Sequence, residues 1–485
     1  MSTESLKPTM LWNNFKAICS IPHPSKHEEK LVAYLKKWAQ ERNIDVKQDE
    51  IGNLIFSKPA TPGMENRKGV ILQGHIDMVP QKNSDKVHDF TKDPIEMIVR
   101  PDGWVSANGT TLGADNGIGC AAALSVLESD DIQHGPLEVL ITIDEETGMT
   151  GAFGLKPGLF KGDILMNLDS ETEGELYVGC AGGLDANITL KYSEMPTPAH
   201  MQGVKISLTG LNGGHSGMDI HMGRGNANKI ITRLLKQCIT KCDMQIATIN
   251  GGSLRNAIPR EAFVEAAVPE AKYDAFIELF NHFRTVIMNE FSAVEHAICL
   301  EVQKTAAPKN VITKADQLRI VNMVYAMPNG VMRMSDSMEG LVETSTNLAI
   351  LKAENGVMEM KCLLRSSVDS AKEAVGEKMV AIAEMAGAEI TLTGAYPGWK
   401  PNMDSPILKT MLGVYQKLFN KPAEIKAIHA GLECGLLGGM YPNWDMISFG
   451  PTISHPHSPD EKVNVESVDK FWRFLIETLK NVPTK

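Results

Sequence analysis

Hydrophobic positions in this chain fall into short runs separated by amphipathic stretches. From residue 27, HEEKLVAYLKKWAQERN repeats apolar residues at spacings of three and four, which predicts a helix with one buried face. The runs NLIFSK, GVILQGHIDM, LEVLITID and DILMNLD are short, continuous and rich in Val, Ile and Leu, so they read as strands. Between them GIGCAAALSVLESD reads as a helix of small apolar residues. This alternation predicts an α/β domain whose central sheet is mixed, largely parallel and flanked by helices. In such folds reactive groups gather at the carboxyl ends of the strands.

The texture changes around residues 180 to 204, at GCAGG and EMPTPAHMQG, and again at AYPGWKPNMDSP near 395 to 406. A chain of 485 residues exceeds the roughly 250 to 300 that one core supports. We therefore expect a catalytic domain built from residues 1–186 and 398–485, with an inserted α+β lid domain over 187–397. Lys plus Arg number 48 against 59 Asp plus Glu, a net charge of −11 with no basic run, which argues against nucleic acid as a partner. The start MSTESLKPTMLWNNFKAICS has no basic segment leading into an apolar one, and no membrane-length apolar run occurs. The expectation is a cytoplasmic protein without a membrane partner. Eight cysteines are scattered without a CxxC pair, as for reduced, buried thiols. Cys238 and Cys242 are read as packing residues on one helix face.

Acidic and histidine residues cluster where strands end. His75 and Asp77 straddle one residue, so they share a face, and Asp77 can hold the His75 imidazole in one tautomer. Asp115, read singly, is the N-cap of the following helix. Glu145 and Glu146 close LEVLITID, where successive side chains face different ways and can serve metal and water separately. Asp169 follows DILMNL, and His457 lies in a proline-rich loop beside the competing His455. Two histidines and three acids can hold two divalent ions with three protein ligands each if one carboxylate bridges. Spacing leaves open which one that is.

Read together, GHIDMVP, TTLGADNGIG, EETGMTGAFGL, NLDSE, GGHSGMDIH, GGSLRNAIPREAF, HAGLECG and GPTISHPHSPDEKV resemble the aminoacyl-histidine dipeptidases. These form a branch of the two-zinc metallopeptidase family that includes carnosinases, tripeptidase T, aminoacylases and carboxypeptidase G. The resemblance implies two divalent ions per chain, zinc with manganese or cobalt as alternatives. His75 and Asp169 would bind one, Glu146 and His457 the other, and Asp115 would bridge them. It further implies that Asp77 orients His75, that Glu145 is the general base, and that His215 reaches the developing oxyanion. Asn256, Arg365 and Glu433 match substrate-binding residues. Their plain alternatives are a turn cap, a surface ion pair and a solvated loop acid. The implied substrates are Xaa-His and other short dipeptides, with His215, Asn256 and Arg365 acting within their own chain and room left for a homodimer.

Two other motif readings fail. Gly117, Gly119 and Ala122 spell GxGxxA, but the polar stretch ANGTTLGADN stands where a dinucleotide fingerprint needs a buried strand. GHSGM lacks the GxSxG elbow of serine hydrolases. An aminoacylase acting on N-acyl amino acids is the runner-up. A non-catalytic metal-binding or peptide-binding relative is disfavoured, because Glu145 is present although metal binding would not require it.

Overall fold

A computed structural model describes residues 5–485, so the first four residues of the amino-terminal stretch lie outside it. Met1–Gly179, Trp399–Ala427 and Leu432–Lys485 form one compact unit, and Cys180–Gly398 with Ile428–Gly431 form a second. The first crossing thus falls at Cys180 rather than at 187, because the strand Gly182–Lys191 already pairs within the second unit's sheet. The short return at Ile428–Gly431 has no compositional mark in the sequence.

In the first unit, continuous apolar runs become strands because both faces of the sheet are covered. The strands are β1 (Asp45–Gln48), β2 (Leu54–Lys58), β3 (Val70–His75), β4 (Leu137–Thr142), β5 (Ile164–Asn167), β6 (Glu175–Cys180), β7 (Glu424–Ile428) and β8 (Asp445–Ser448). Their order is β1-β2-β4-β3-β5-β8-β6-β7. The central four, β4, β3, β5 and β8, run parallel, while β2 joins β4 and β6 joins β8 antiparallel, so the sheet is mixed. Every residue of β3 and β5 is buried.

Helix α1 (Ala114–Glu128) is buried along almost its whole length. Its glycines let it pack closely: a Cβ on Gly119 would lie 2.5 Å from the Leu168 carbonyl oxygen, and one on Gly117 2.9 Å from the Phe15 ring. That close approach accounts for the GxGxxA spacing in packing terms.

The second unit is built on an antiparallel sheet. Its strands run in the order Cys299–Thr305, Met201–Thr209, Ala262–Pro269, Gln245–Gly251, Val342–Glu354, Val357–Ser366, Gly182–Lys191 and Glu389–Tyr396, with Gly330–Met334 beside Val342–Glu354. Helices Ala227–Cys242, Tyr273–Glu290, Lys314–Ala326 and Asp369–Ala386 share one apolar core with it. Cys238 and Cys242 are both in that core. Among the described residues no helix is long and apolar enough to cross a membrane, and no disulfide links the cysteines.

Candidate active site

The carboxyl ends of the parallel strands bring the ligand-type residues of the first unit together. His75 ends β3 with its ring fully buried, and its Nε2 lies 3.2 Å from Asp115 Oδ1 and 3.3 Å from Asp169 Oδ1. The other Asp115 oxygen, Oδ2, lies 3.2 Å from His457 Nε2, which is 2.9 Å from Glu146 Oε2. One carboxylate therefore faces both imidazoles, and each imidazole has a second carboxylate of its own. Glu145 joins the group through His75 and Glu146, with ligand atoms of the three within 4.8 Å of one another. His455 instead hydrogen-bonds Ser454 and is exposed.

Among the described residues none of these acids is ion-paired with lysine or arginine; their charged partners are histidines. Among the described residues Glu146 Oε1 is buried without a hydrogen bond. Buried carboxylates need a counter-charge, from protons or from cations. The pattern of proton affinities shows the pressure. Burial, Asp115 and Glu433 push Asp169 up to about 7 against the pull of His75. Hydrogen bonds donated to Asp115 and Glu146 raise His457 to about 11. His75 is raised well above its ordinary value by Asp169, Asp115 and Asp77, although burial opposes this. Two imidazoles and three clustered carboxylates are a donor set for divalent ions, which would displace those ring protons. The residues present fit a metal pair.

Asp77 does more than face His75. The His75 Nδ1 lies 3.1 Å from the Asp77 carbonyl oxygen and 3.3 Å from its carboxylate. The same carboxylate accepts the Glu145 N–H at 2.9 Å, the Glu146 N–H at 3.2 Å and the Ser25 hydroxyl at 2.8 Å. These contacts and His75 hold it at about 2 despite its burial. The two glutamates do not close a strand, as the sequence led us to expect. They open a short helix, α2 (Glu145–Gly148), after β4 has ended at Thr142. The distant carboxylate that accepts their N–H groups starts the turn. Burial, with Asp169, Glu433 and Glu146 close by, raises Glu145 well above the usual carboxyl range, against the pull of His75.

Asp115 is not the cap of α1; the N-cap is Gly113, and Asp115 has non-helical angles within the first turn. Glu433 is not a solvated loop acid. It opens α3 (Glu433–Met440) at 1% exposure, and its Oε2 accepts from Gln73 Nε2 at 2.6 Å and Thr142 Oγ1 at 2.8 Å. Gln73 continues into a buried polar row that sequence reading missed. Its Oε1 accepts from Asn167 Nδ2 at 2.5 Å, and Asn167 Oδ1 accepts from the Ser448 hydroxyl at 2.5 Å. The available signal was a polar residue near the end of each apolar run.

In the second unit His215 and Asn256 sit on facing segments: His215 pairs with Ala257, and the Ser216 N–H donates to the Asn256 carbonyl at 2.8 Å. The His215 Nδ1 accepts backbone N–H groups from Gly217 and Met218 at 3.2 and 3.1 Å, which leaves Nε2 to carry the proton. Burial and Arg365 lower its pKa. The Asn256 side chain is exposed. Arg365 is not a surface residue; it is 6% exposed, its Nε donates to Ser216 Oγ at 3.3 Å, and among the described residues no carboxylate pairs with it. Buried His429, which sequence reading also missed, lies 2.7 Å from Ser345 Oγ and is pushed down to about 3 by burial and Arg365.

Comparison with known proteins gives a consistent result. The model for Peptidase family M20/M25/M40 matches residues 71–481. The chain is 49% identical over 480 residues to the cytosol non-specific dipeptidase of Escherichia coli (strain K12), covering 99% of each. It superimposes on the crystal structure of aminoacylhistidine dipeptidase from Vibrio alginolyticus with a TM-score of 0.96 and 52% identity, covering 100% of this chain and 99% of that one. The fold alone is shared with aminopeptidase PepT from Bacillus cereus ATCC 10987, at a TM-score of 0.58 and 17% identity over 98% of this chain and 99% of that one.

Proposed function

The chain belongs to Peptidase family M20/M25/M40 and is a peptide hydrolase, and from that membership we propose that it is a two-metal dipeptidase acting on Xaa-His and other short dipeptides. The observation that carries this reading is Asp115, whose two oxygens face two imidazoles, each with a further carboxylate beside it. His75 and Asp169 would hold one ion, His457 and Glu146 the other, and Asp115 would bridge, with zinc the first choice for this nitrogen and oxygen donor set. Bound there, the ions supply Lewis acidity that lowers the pKa of a water and polarises the scissile carbonyl.

Glu145 would take a proton from the attacking water and return it to the leaving amine as the carbon–nitrogen bond breaks. A carboxylate can accept and return a proton in this way. Asp77 fixes the two glutamates through their N–H groups and holds the His75 ring. His215, with its proton on Nε2, is a neutral donor for a developing oxyanion. Arg365, a buried guanidinium with no carboxylate partner among the described residues, takes the free carboxylate of the substrate. A panel comparing Ala-His and β-Ala-His with their amides and with N-acetyl amino acids tests the assignment. Dipeptides should be cleaved and the amides poorly. Preference for N-acetyl amino acids would instead identify an aminoacylase.

A further inference from the structure

One buried acid stands outside the ligand group yet grips the segment that carries its centre. Glu461 is 2% exposed and follows His457 in the same loop. Its Oε2 accepts the N–H groups of Leu112 at 2.7 Å and Gly113 at 3.0 Å, and its Oε1 those of Ala114 at 2.8 Å and Asp115 at 3.3 Å. These donors precede and open α1, where a helix leaves N–H groups unpaired and its dipole favours an anion. The residue at the N-cap, Gly113, has no side chain to serve them. A carboxylate from the far end of the chain serves instead.

Two facts make this contact matter to the ligands. Asp115 has φ −81° and ψ 107°, so the helical ladder does not fix its direction. The Glu461 N–H donates to the Ser458 carbonyl at 2.9 Å, which closes the loop immediately after His457. Glu461 thus holds both Asp115 and the loop bearing His457. At the other end, His75 is on β3 and Asp169 follows β5, so both are rooted in the sheet.

We propose that Glu461 is a positioning residue that ties the His457 loop to the Asp115 segment and thereby sets the affinity of the His457 end for its ion. The proposal rests on the two-ion reading. Glu461→Gln keeps the volume and one acceptor oxygen but turns an NH2 group toward N–H donors. Zinc titrated into the metal-free variant, followed by calorimetry, should show one ion loosened by about 10-fold to 100-fold and the other clearly less, with circular dichroism like that of the parent. If that variant fails to fold, Glu461→Asp, which retains the charge on a shorter arm, is judged by the same titration. Unchanged affinity for both ions, or equal loosening of both, would overturn the tie. A parent protein that binds fewer than two ions would instead remove the two-ion reading on which it rests.

Discussion

The two ends of the Asp115 carboxylate are built differently. On one side His75 ends a fully buried strand and Asp169 stands two residues past another. On the other, His457 lies in a loop with its side chain about half exposed, and Glu146 stands on the short helix α2. Donor chemistry is the same at both ends: one imidazole and one carboxylate beside the shared acid. Rigidity is not. A sheet whose neighbours are hydrogen-bonded on both sides fixes the backbone beneath its side chains, and Asp77 has only to orient the His75 ring. A loop needs added ties, and Asp77 and Glu461 supply them here.

Metal removal should give the largest effect and the most direct trial of this contrast. Complete chelation should abolish dipeptide hydrolysis, while graded chelation should draw off one ion well before the other, the His457 end first. Metal content measured beside activity would show it. Loss of both ions together would break the contrast, and full activity in metal-free protein would remove the proposed chemistry.

Glu145→Gln should come next, lowering kcat by about 100-fold to 10,000-fold with both ions retained, since the residue lies between the ends without belonging to either. Glu146→Gln should instead loosen the loop end and recover part of its activity at high metal concentration. A Glu145→Gln protein that had lost an ion while Glu146→Gln kept both would reverse these roles.

His457→Ala should lose one ion whereas His455→Ala keeps two, because His455 is turned to Ser454. His75→Ala should lose the tighter ion. Atomic absorption on the purified variants decides the order. The smallest effect is expected at Arg365, which belongs to none of the ligand groups. Arg365→Lys should raise KM for dipeptides by about 10-fold, as a bidentate charge-assisted contact becomes a single one, and leave metal content untouched.

Much of the first unit was legible because its physics is local. GVILQGHIDM and DILMNLD are apolar throughout because parallel strands covered on both faces must be, and His75 and Asp169 mark where those runs stop. Alternating strands and helices likewise announced the mixed sheet. What stayed hidden depends on distant partners. The helix that Glu145 and Glu146 open is started by Asp77, and no residue nearby signals it. Glu461 looked like one more acid in SPDEKV because its partners lie about 350 residues earlier. Gln73 and Asn167 were visible as polar interruptions, yet their purpose appears only when β3 and β5 stand in register. The proposal that Asp115 would bridge came only through the resemblance, since spacing treats every acid alike.

The strand order has a consequence for how the polypeptide is made. β8, from residues 445–448, sits between β5 and β6, which are synthesised more than 260 residues earlier. Until it arrives, β5 has an open edge on that side, one that is buried and apolar in the finished sheet. Open edges of that kind recruit strands from other molecules. A ribosome product stopped before Asp445 should therefore be a self-associating species and not a smaller peptidase with one ion, a difference that light scattering on such a fragment would detect. Completion of the sheet waits on residues 445–448, which makes that strand the point at which a finished molecule is distinguished from a hazardous one.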